Sequence, residues 1–490
     1  MNSAESPRRP NIVILLADDM GFGDVGAFNP ASLIPTPNMD QLASEALSFG
    51  DAHSSAAVCT PSRYGLLTGR YCWRTDLKYG VFVGYEPPLI ERDRLTLPRF
   101  LQRLGYRTAA IGKWHLGLHY RPRAGSDVDL TRAFPWGEAS RSLEEQIDFD
   151  QPVSGGPLEL GFDEFFGTSG CPTCQPPYGF IEGDRFVDPP RVYDERPPYT
   201  GRPGMASASW RHADADPAIV ERACSFISSA ARRGQPFFAY VALDAPHEPC
   251  TEDVVPPIAR NRSLAGPRGD LVWFVDHAVG QVRQTLERAG VWDETIFIVT
   301  SDNGALPGDR VLDADGSEVY RTYGHRSSGQ WRGYKAHIWE GGHREPLIIS
   351  WPERLRGGSR APEMICLTDL FATLAEVLGV PTPSDAEDSV SFAGLLGGGS
   401  GAGRRSLIHH SQRGVFALRV DALKLVLDTE GSGGWPPPSG GRPVPGSPGQ
   451  LYDLSDDPFE ARNLWRERPG LVSELSAELT RLTEEGRIGR

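Results

Sequence analysis

The sequence predicts an α/β protein in which a mostly parallel central sheet is sandwiched by helices. Short apolar runs without polar alternation recur up to residue 350, and each has the length of a strand buried on both faces. Segments with a helical spacing of apolar residues separate these runs. Strands that alternate with helices are typical of a parallel sheet covered on both faces.

The predicted strands are runs rich in Ile, Val, Leu and Phe. They lie at 12–17, 108–111, 237–243, 295–300 and 347–350. The predicted helices lie at 38–46, 96–104, 218–231 and 271–289. Between 115 and 215, Pro, Gly and aromatic residues interrupt the pattern, which predicts a loop-rich insertion.

The C-terminal part has a different composition. A Gly- and Ser-rich stretch at 394–404 predicts a linker. The strand-like runs 414–420 and 423–427 and a polar helix at 471–485 predict a small antiparallel sheet with a helix. The predicted units are an N-terminal domain with the candidate site (1–393), the linker (394–404) and a C-terminal α+β subdomain (405–490).

Composition narrows the class of partner. The net charge of −14 argues against nucleic acid or an anionic membrane surface as the partner. No stretch of about 20 apolar residues is present, so we expect no membrane span. The apolar run after the first ten residues is too short for a signal peptide, and we expect a cytoplasmic protein.

The seven cysteines form no obvious disulfide framework. Cys171 and Cys174 make a C-x-x-C pair, but neither a second pair nor nearby His ligands accompany it. We interpret it as a turn pair, reduced or bridged, rather than as a zinc site.

Acidic residues follow two of the predicted strands. Asp18 and Asp19 follow the first strand, and Asp302 and Asn303 follow the strand at 295–300. Ligands of open α/β sheets bind beyond the carboxyl ends of the strands, so both pairs point to one edge. Carboxylate and amide oxygens suit Ca²⁺, with Mg²⁺ as the alternative. The chain must turn sharply at 18–19 if both aspartates reach one metal.

The segment Cys59-Thr60-Pro61-Ser62-Arg63 precedes Leu-Thr-Gly-Arg at 67–70. Alone, it could mark a buried structural cysteine before a turn. Further blocks follow the same chain order as in a known family: DDMGFGD, CTPSR…LTGR, GKWHLG, APHEP, SDNG, RGYK…EGGHREP and LYDLSDDPFEARNL. In these blocks the chain resembles the type I sulfatases, which belong to the alkaline-phosphatase-like superfold.

The resemblance implies an enzyme that hydrolyses a sulfate ester, on an aryl group or a carbohydrate, to an alcohol and inorganic sulfate. A formylglycine-generating enzyme would convert Cys59 to formylglycine. One hydroxyl of its hydrate would attack sulfur, and the other would let the covalent intermediate collapse and release sulfate.

The resemblance also implies a role for each site residue. The metal would be held by the modified Cys59 together with Asp18, Asp19, Asp302 and Asn303. Lys113 and Lys335 would hold the sulfate oxygens, and Arg63 would steady the hydrate. His247 would be the acid for the leaving alcohol, and His115 the base for the return to the aldehyde.

The resemblance fails at Glu345, where the family pattern has valine before the proline. A carboxylate there could weaken the local positive potential or pair with Arg344. Two other functions stay open: a phosphonate monoester or phosphodiester hydrolase of the same superfold, and a non-catalytic sulfate-binding protein.

Overall fold

The computed structural model describes residues 9–131, 138–195, 201–313, 315–355, 357–397, 401, 403–429, 431–434 and 447–484. The helices are α1 (Pro37–Glu45), α2 (Cys59–Thr68), α3 (Leu97–Arg103), α4 (Glu138–Glu144), α5 (Ala215–Arg233), α6 (Gly266–Arg288), α7 (Leu370–Val377), α8 (Ala393–Leu396) and α9 (Pro469–Glu484). The strands as far as residue 242 are β1 (Asn11–Ala17), β2 (Leu47–His53), β3 (Arg107–Lys113), β4 (Glu164–Thr168), β5 (Ile181–Glu182), β6 (Arg185–Phe186), β7 (Val192–Asp194), β8 (Gly204–Ala206) and β9 (Phe237–Ala242). The later strands are β10 (Thr295–Ser301), β11 (Asp309–Leu312), β12 (Glu318–Arg321), β13 (Leu347–Ser350), β14 (Ser359–Cys366), β15 (Ser406–His410), β16 (Phe416–Val420), β17 (Leu423–Val426) and β18 (Gln450–Asp453).

Ten of the described strands form one sheet in the order β14-β2-β13-β10-β1-β9-β3-β4-β5-β6. The central strands β10, β1, β9, β3 and β4 are parallel, whereas β13 runs antiparallel to β10 and to β2. The predicted fold class, a mostly parallel sheet covered by helices, is confirmed.

Strand β1 shows why the sheet lies in the middle of the protein. All seven of its residues are buried, because it lies between β9 and β10 and is covered on both faces. Ile12, Ile14 and Leu16 pack with α2, α3 and α7, while the residues between them pack with α1, α5 and α6. Burial of both faces explains the unbroken apolar run in the sequence.

The predicted loop-rich insertion at 115–215 contains α4 and β4 to β8. Strand β4 pairs with β3 in parallel from Ala109–Glu164 to Lys113–Thr168, so the central sheet continues into this segment. Positions 132–137 and 196–200 of the predicted insertion lie outside the described residues.

Strands β15 to β18 form a separate antiparallel sheet in chain order, and α9 packs beside it. The predicted C-terminal sheet and helix are therefore confirmed. Residues 398–400 and 402 of the predicted linker, and position 485 of the predicted last helix, lie outside the described residues. The domain boundaries stay a prediction. None of the described helices combines the length and the apolar character that a membrane crossing requires.

Candidate active site

Neighbouring parallel strands end at one edge of the central sheet, and candidate residues follow them. These strands lie in the order β10, β1, β9, β3. Asp302 follows β10, Asp18 follows β1, His247 lies in the loop after β9, and Lys113 is the last residue of β3. The topology thus brings side chains that are distant in sequence to the edge where such sheets bind ligands.

Cys59 is the first residue of α2, a helix whose residues are all buried. Its Sγ donates a hydrogen bond to Asp18 Oδ1 over 3.3 Å. Burial, followed by the charges of Asp18 and Asp302, raises the pKa of the Cys59 thiol to about 12. The unmodified thiol is therefore protonated at neutral pH and is a poor nucleophile.

Arg63 lies one turn after Cys59, on the same side of α2. Its Nε is 2.9 Å from Asp302 Oδ2, and its Nη2 is 3.1 Å from Asp18 Oδ2. Its Nη1 donates to the backbone carbonyl of Lys113 over 3.1 Å. One buried guanidinium therefore ties α2 to the ends of β10, β1 and β3.

The sharp turn expected after β1 occurs at Asp19. Its φ of 66° lies in the left-handed region, which few residues other than glycine adopt. Possible metal-ligand atoms of Asp18, Asp19, Cys59 and His247 all lie within 4.8 Å of one another. The turn therefore brings both aspartates to the site.

Asn303 provides a test of whether these residues fit a cation. Its Nδ2 donates to Asp19 Oδ1 over 2.6 Å, whereas its buried Oδ1 accepts no hydrogen bond from the described residues. A cation would satisfy that oxygen. Burial, followed by the charge of Asp18, raises the pKa of Asp302 to about 6, as expected for crowded carboxylates. The oxygen-rich set fits Ca²⁺ or Mg²⁺.

Lys113 and Lys335 bring positive charge to these carboxylates. Lys113 Nζ contacts Asp18 Oδ2 and lies 4.0 Å from Asp244 Oδ1. Lys335 Nζ lies 2.7 Å from Asp19 Oδ2. The two ammonium groups therefore flank the acidic residues, where they would also contact an anionic substrate.

His247 lies on the same side of the site as Asp19. Its Nδ1 donates to the Glu248 carbonyl over 2.6 Å, and its Nε2 is 3.6 Å from Asp19 Oδ2. Burial favours the neutral ring, but the acidic groups of Cys171 and Asp19 hold the pKa of His247 well above its usual value. A protonated His247 can act as an acid.

His115 lies at the margin of this network. Its Nε2 donates to the Phe82 carbonyl over 2.7 Å, which leaves Nδ1 as the lone-pair nitrogen of the neutral ring. Nδ1 is buried and has no hydrogen-bond partner in the part of the chain that the structure describes. Burial, followed by the charges of Lys113 and Arg63, holds the pKa of His115 well below its usual value. The neutral ring can therefore accept a proton.

Asp244 is a site residue that the sequence analysis missed. It is buried at the end of β9 and accepts hydrogen bonds from Cys171 Sγ over 2.8 Å and Thr173 Oγ1 over 2.6 Å. Its backbone N–H donates to Asp216 Oδ1 over 2.8 Å. A usable signal was present, because Asp244 follows an apolar run as the acidic residues after β1 and β10 do.

Asp24 and Arg268 support the loop after β1, and no local pattern connects them. Arg268 on α6 lies 2.9 and 2.6 Å from the two Asp24 carboxylate oxygens, 244 residues away in sequence. Its Nη2 also donates to the backbone carbonyl of Asp19 over 2.9 Å. His325 Nε2 lies 2.8 Å from Asp24 Oδ1. These contacts fix the backbone that carries the first two aspartates.

Arg344 and Glu345 do not pair with each other in the structure. Arg344 lies 2.9 Å from both Glu340 Oε2 and Asp51 Oδ1. Glu345 is buried and accepts a hydrogen bond from Ser54 Oγ over 3.1 Å. The pairing considered for Glu345 is therefore wrong, because Arg344 is engaged elsewhere.

Comparison with known proteins gives consistent matches over nearly the whole chain. Residues 10–380 match the family model described as Sulfatase. The chain is 30% identical over 498 residues to an N-acetylgalactosamine-6-O-sulfatase of Bacteroides thetaiotaomicron, covering 97% of this chain and 93% of that protein. It is 31% identical over 496 residues to arylsulfatase A of Homo sapiens, covering 97% and 87%. A solved structure from work on the metabolism of multiple glycosaminoglycans by B. thetaiotaomicron has a TM-score of 0.80 at 28% identity, covering 97% of this chain and 99% of that one.

Proposed function

Because the chain belongs to the sulfatase family and is a sulfuric ester hydrolase, we propose that it removes sulfate from a carbohydrate through a formylglycine made from Cys59. One observation carries this proposal: the buried Cys59 opens α2 with its Sγ 3.3 Å from Asp18, and Arg63 anchors the same helix. A cysteine that acts as a thiolate needs a lowered pKa, whereas burial raises the pKa of Cys59 to about 12. Conversion to another nucleophile resolves this conflict.

The converted residue would supply a hydroxyl nucleophile at neutral pH. A divalent cation, for which we propose Ca²⁺ with Mg²⁺ as the alternative, would supply positive charge at the sulfate oxygens. Asp18, Asp19, Asp302 and Asn303 would hold it, since their oxygens form the donor set at this edge.

The chain's own side chains account for the remaining steps. Lys113 and Lys335 would bind the sulfate oxygens, where negative charge is spread in the transition state. His247 would donate a proton to the leaving oxygen from Nε2, because Nδ1 is engaged with the Glu248 carbonyl. His115 would accept a proton at Nδ1. This nitrogen carries no hydrogen in the neutral ring, because the ring hydrogen is on Nε2, which donates to the Phe82 carbonyl. Arg63 would keep residue 59 in position against the acidic residues.

A carbohydrate substrate is supported by the relatives named above. One is an N-acetylgalactosamine-6-O-sulfatase, and the solved structure comes from work on glycosaminoglycans. An aryl sulfate presents the same sulfuryl group and is a suitable test substrate.

Among the described residues of the 160–215 segment, five aromatic side chains that could stack on a sugar or an aryl ring pack against other residues of the protein. Phe166 and Phe180 stack on each other with ring centroids 4.7 Å apart, and Trp210 lies 5.0 Å from Phe180. Phe165 and Tyr178 are buried.

The test is to produce the protein together with a formylglycine-generating enzyme and analyse the peptide that contains residue 59 by mass spectrometry. Release of inorganic sulfate would be measured with sulfated N-acetylhexosamines and an aryl sulfate, and alcohol release with an aryl phosphodiester. We expect the aldehyde or its hydrate at residue 59 and faster turnover of the sulfates. Cys59→Ala should abolish turnover.

Other results would contradict the proposal in distinct ways. Faster turnover of the phosphodiester would assign the chain to the phosphonate monoester and phosphodiester hydrolases. Unmodified cysteine, together with sulfate binding and no turnover, would make it a sulfate-binding protein.

A further inference from the structure

Cys171 and Cys174 lie against the proposed acid, His247, and the mechanism does not use them. Cys171 is fully buried, whereas Cys174 is partly exposed, and both are free thiols. Their Sγ atoms are 3.1 Å apart. The two sulfurs lie 3.3 and 3.7 Å from His247 Nδ1. Two thiols in mutual contact therefore adjoin the catalytic network, and one of them belongs to a residue that is partly exposed.

We propose that Cys171 and Cys174 form a reversible disulfide that switches the enzyme to a low-activity state. This inference rests on the proposed function of the site and adds a regulatory modification to it. The sulfurs must approach by about 1 Å to reach a bond length of roughly 2 Å. The turn is already closed, since the amides of Cys174 and Gln175 donate to the Cys171 carbonyl over 3.3 and 2.9 Å.

The oxidant in the proposed step is a small-molecule disulfide, and the reaction is thiol–disulfide exchange. The sulfur of Cys174, the partly exposed residue of the pair, attacks one sulfur of the reagent, breaks its S–S bond and expels one thiol. Asp244, whose Oδ1 lies 2.8 Å from the Cys171 sulfur, takes up the Cys171 proton and passes it to the second leaving thiol, so that Asp244 is a carboxylate again once the disulfide has formed. The Cys171 sulfur attacks Cys174 and releases the second thiol. The protein loses two electrons and two protons, and the reagent becomes two thiols.

The disulfide would act on the site through Asp244. In the reduced protein the Cys171 thiol donates to Asp244 Oδ1, and the same oxygen lies 4.0 Å from Lys113 Nζ. A disulfide has no hydrogen to donate, so the buried carboxylate would draw Lys113 away from Asp18. The sulfurs would also shift against the ring of His247. Oxidation thus acts on a group that holds sulfate and on the group that protonates the leaving oxygen.

A metal bound by the same residues fits the geometry less well. His247 Nδ1 donates to the Glu248 carbonyl over 2.6 Å, so it carries a hydrogen and offers no lone pair. A tetrahedral zinc with bonds of about 2.3 Å to each sulfur would hold the sulfurs roughly 3.8 Å apart. The observed separation of 3.1 Å is closer to a thiol pair ready for oxidation.

The experiment uses the matured protein in glutathione buffers that range from fully reduced to fully oxidised. Alkylation followed by peptide mass spectrometry measures the Cys171–Cys174 disulfide, and hydrolysis of an aryl sulfate measures activity. We expect the disulfide to form as the rate falls at least about tenfold, in line with loss of general-acid catalysis. Dithiothreitol should restore the rate.

The variant Cys174→Ser should keep its activity in reduced buffer and lose its response to oxidised glutathione. Cys224→Ser is the matched control, because Cys224 is also a partly exposed free cysteine but lies on α5. It should respond as the unmodified sequence does.

Several results would overturn the proposal. They are a pair that stays reduced in the most oxidising buffer, a disulfide that leaves the rate unchanged, and a response that persists in Cys174→Ser. If the reduced protein releases no sulfate, the proposed function fails and the switch fails with it. Mass spectrometry of the pair separates that case from a failure of oxidation.

Discussion

Arg63 connects three parts of the site through one side chain. Its guanidinium contacts Asp302, Asp18 and the Lys113 carbonyl through three different nitrogens. A guanidinium can make these contacts because its donors diverge in a fixed plane. A lysine has the same charge but a single nitrogen, so it cannot reach all three acceptors.

We therefore predict that Arg63→Lys lowers kcat/KM at least about 100-fold, since a site carboxylate loses its partner. The free energy of unfolding should fall by roughly 3–5 kcal/mol, because a buried ion pair is broken. Steady-state kinetics and urea denaturation measure the two effects.

Arg283→Lys is the matched control for this substitution. Arg283 pairs with Glu45 and Glu287 at the protein surface, over 2.8 and 2.9 Å, outside the site. Its replacement should change stability by less than about 1 kcal/mol and leave turnover unchanged. If Arg63→Lys had effects as small as those of this control, the separate N–H donors of the Arg63 guanidinium would not be needed to position the site residues.

Glu345 leads to a different expectation at the same scale. Burial, followed by the negative charge of Asp302, holds the pKa of Glu345 well above its usual value, which favours the neutral form of its carboxyl group. Glu345→Gln replaces one neutral group with another of the same shape. We predict that kcat/KM changes by less than about threefold, a small fraction of what the loss of a catalytic charge costs.

Asp302→Asn provides the contrast to Glu345→Gln. Asp302 contacts Arg63 and belongs to the proposed cation site, so its neutral variant should lose at least about 100-fold in kcat/KM. Steady-state kinetic assays of both variants test whether activity depends on the charge of Asp302 but not on that of Glu345. An equal loss in Glu345→Gln would mean that Glu345 is ionised and that its charge is used.

Among the secondary-structure elements, the sequence predicted the strands whose buried side chains are apolar. Strands β1, β3, β9 and β10 lie between neighbours and under helices, so their sequences are continuous apolar runs. The residues that follow them could then be assigned to one edge. The strand ends therefore indicated Asp18, Asp19, Asp302, Asn303 and Lys113 from the sequence alone.

The sequence analysis missed strand β2 because some of its buried side chains are polar. It reads LSFGDAH, and Asp51 and His53 are both buried within it. Asp51 lies 2.9 Å from Arg344 and 2.7 Å from Arg419, both far away in sequence. A pattern rule recognises apolar burial, whereas polar burial is stabilised by partners that only the folded chain brings together. The same reason hid the contact between Asp24 and Arg268.

Helix α2 leads to a prediction about maturation. Every residue from Cys59 to Thr68 is buried, so a modifying enzyme cannot reach the Cys59 side chain in the folded protein. We predict that folded, unconverted protein stays unmodified when it is incubated with a formylglycine-generating enzyme. A peptide that covers residues 55–70 should be converted under the same conditions, as measured by mass spectrometry. Equal conversion of folded protein and peptide would show that α2 opens readily.

At the scale of the whole molecule, buried charge joins the C-terminal sheet to the main sheet. Arg419 of β16 lies 2.7 Å from Asp51 of β2. Lys424 of β17 lies 3.0 Å from Glu340 and 2.8 Å from Glu460. Removing one partner of such a pair leaves an uncompensated charge, so these contacts fix how the two sheets pack.

Three histidines lie inside this charged junction and make its stability depend on pH. His53 Nδ1 is 3.0 Å from His343 Nδ1, and the rings of His343 and His409 are 3.6 Å apart. Burial holds the pKa of each below its usual value, and the charges of Lys424 and Arg419 oppose protonation further. The acidic groups Asp51 and Glu340 act in the opposite direction without reversing the shift.

We predict that the free energy of unfolding decreases as the pH falls below about 6.5, because the unfolded chain then binds protons that the folded chain does not. Stability is therefore fully present above the unfolded pKa, and each histidine contributes up to about 1.4 kcal/mol per pH unit to the loss below it. Urea denaturation between pH 5 and 8 measures this slope. His409→Gln removes one titrating ring, so its slope should be shallower than that of the unmodified protein even if its stability at pH 8 is lower. If the unfolding free energy changed with pH equally steeply in both proteins, His409 would bind its proton in the folded chain. The junction would then accommodate a positive charge that Lys424 and Arg419 should oppose.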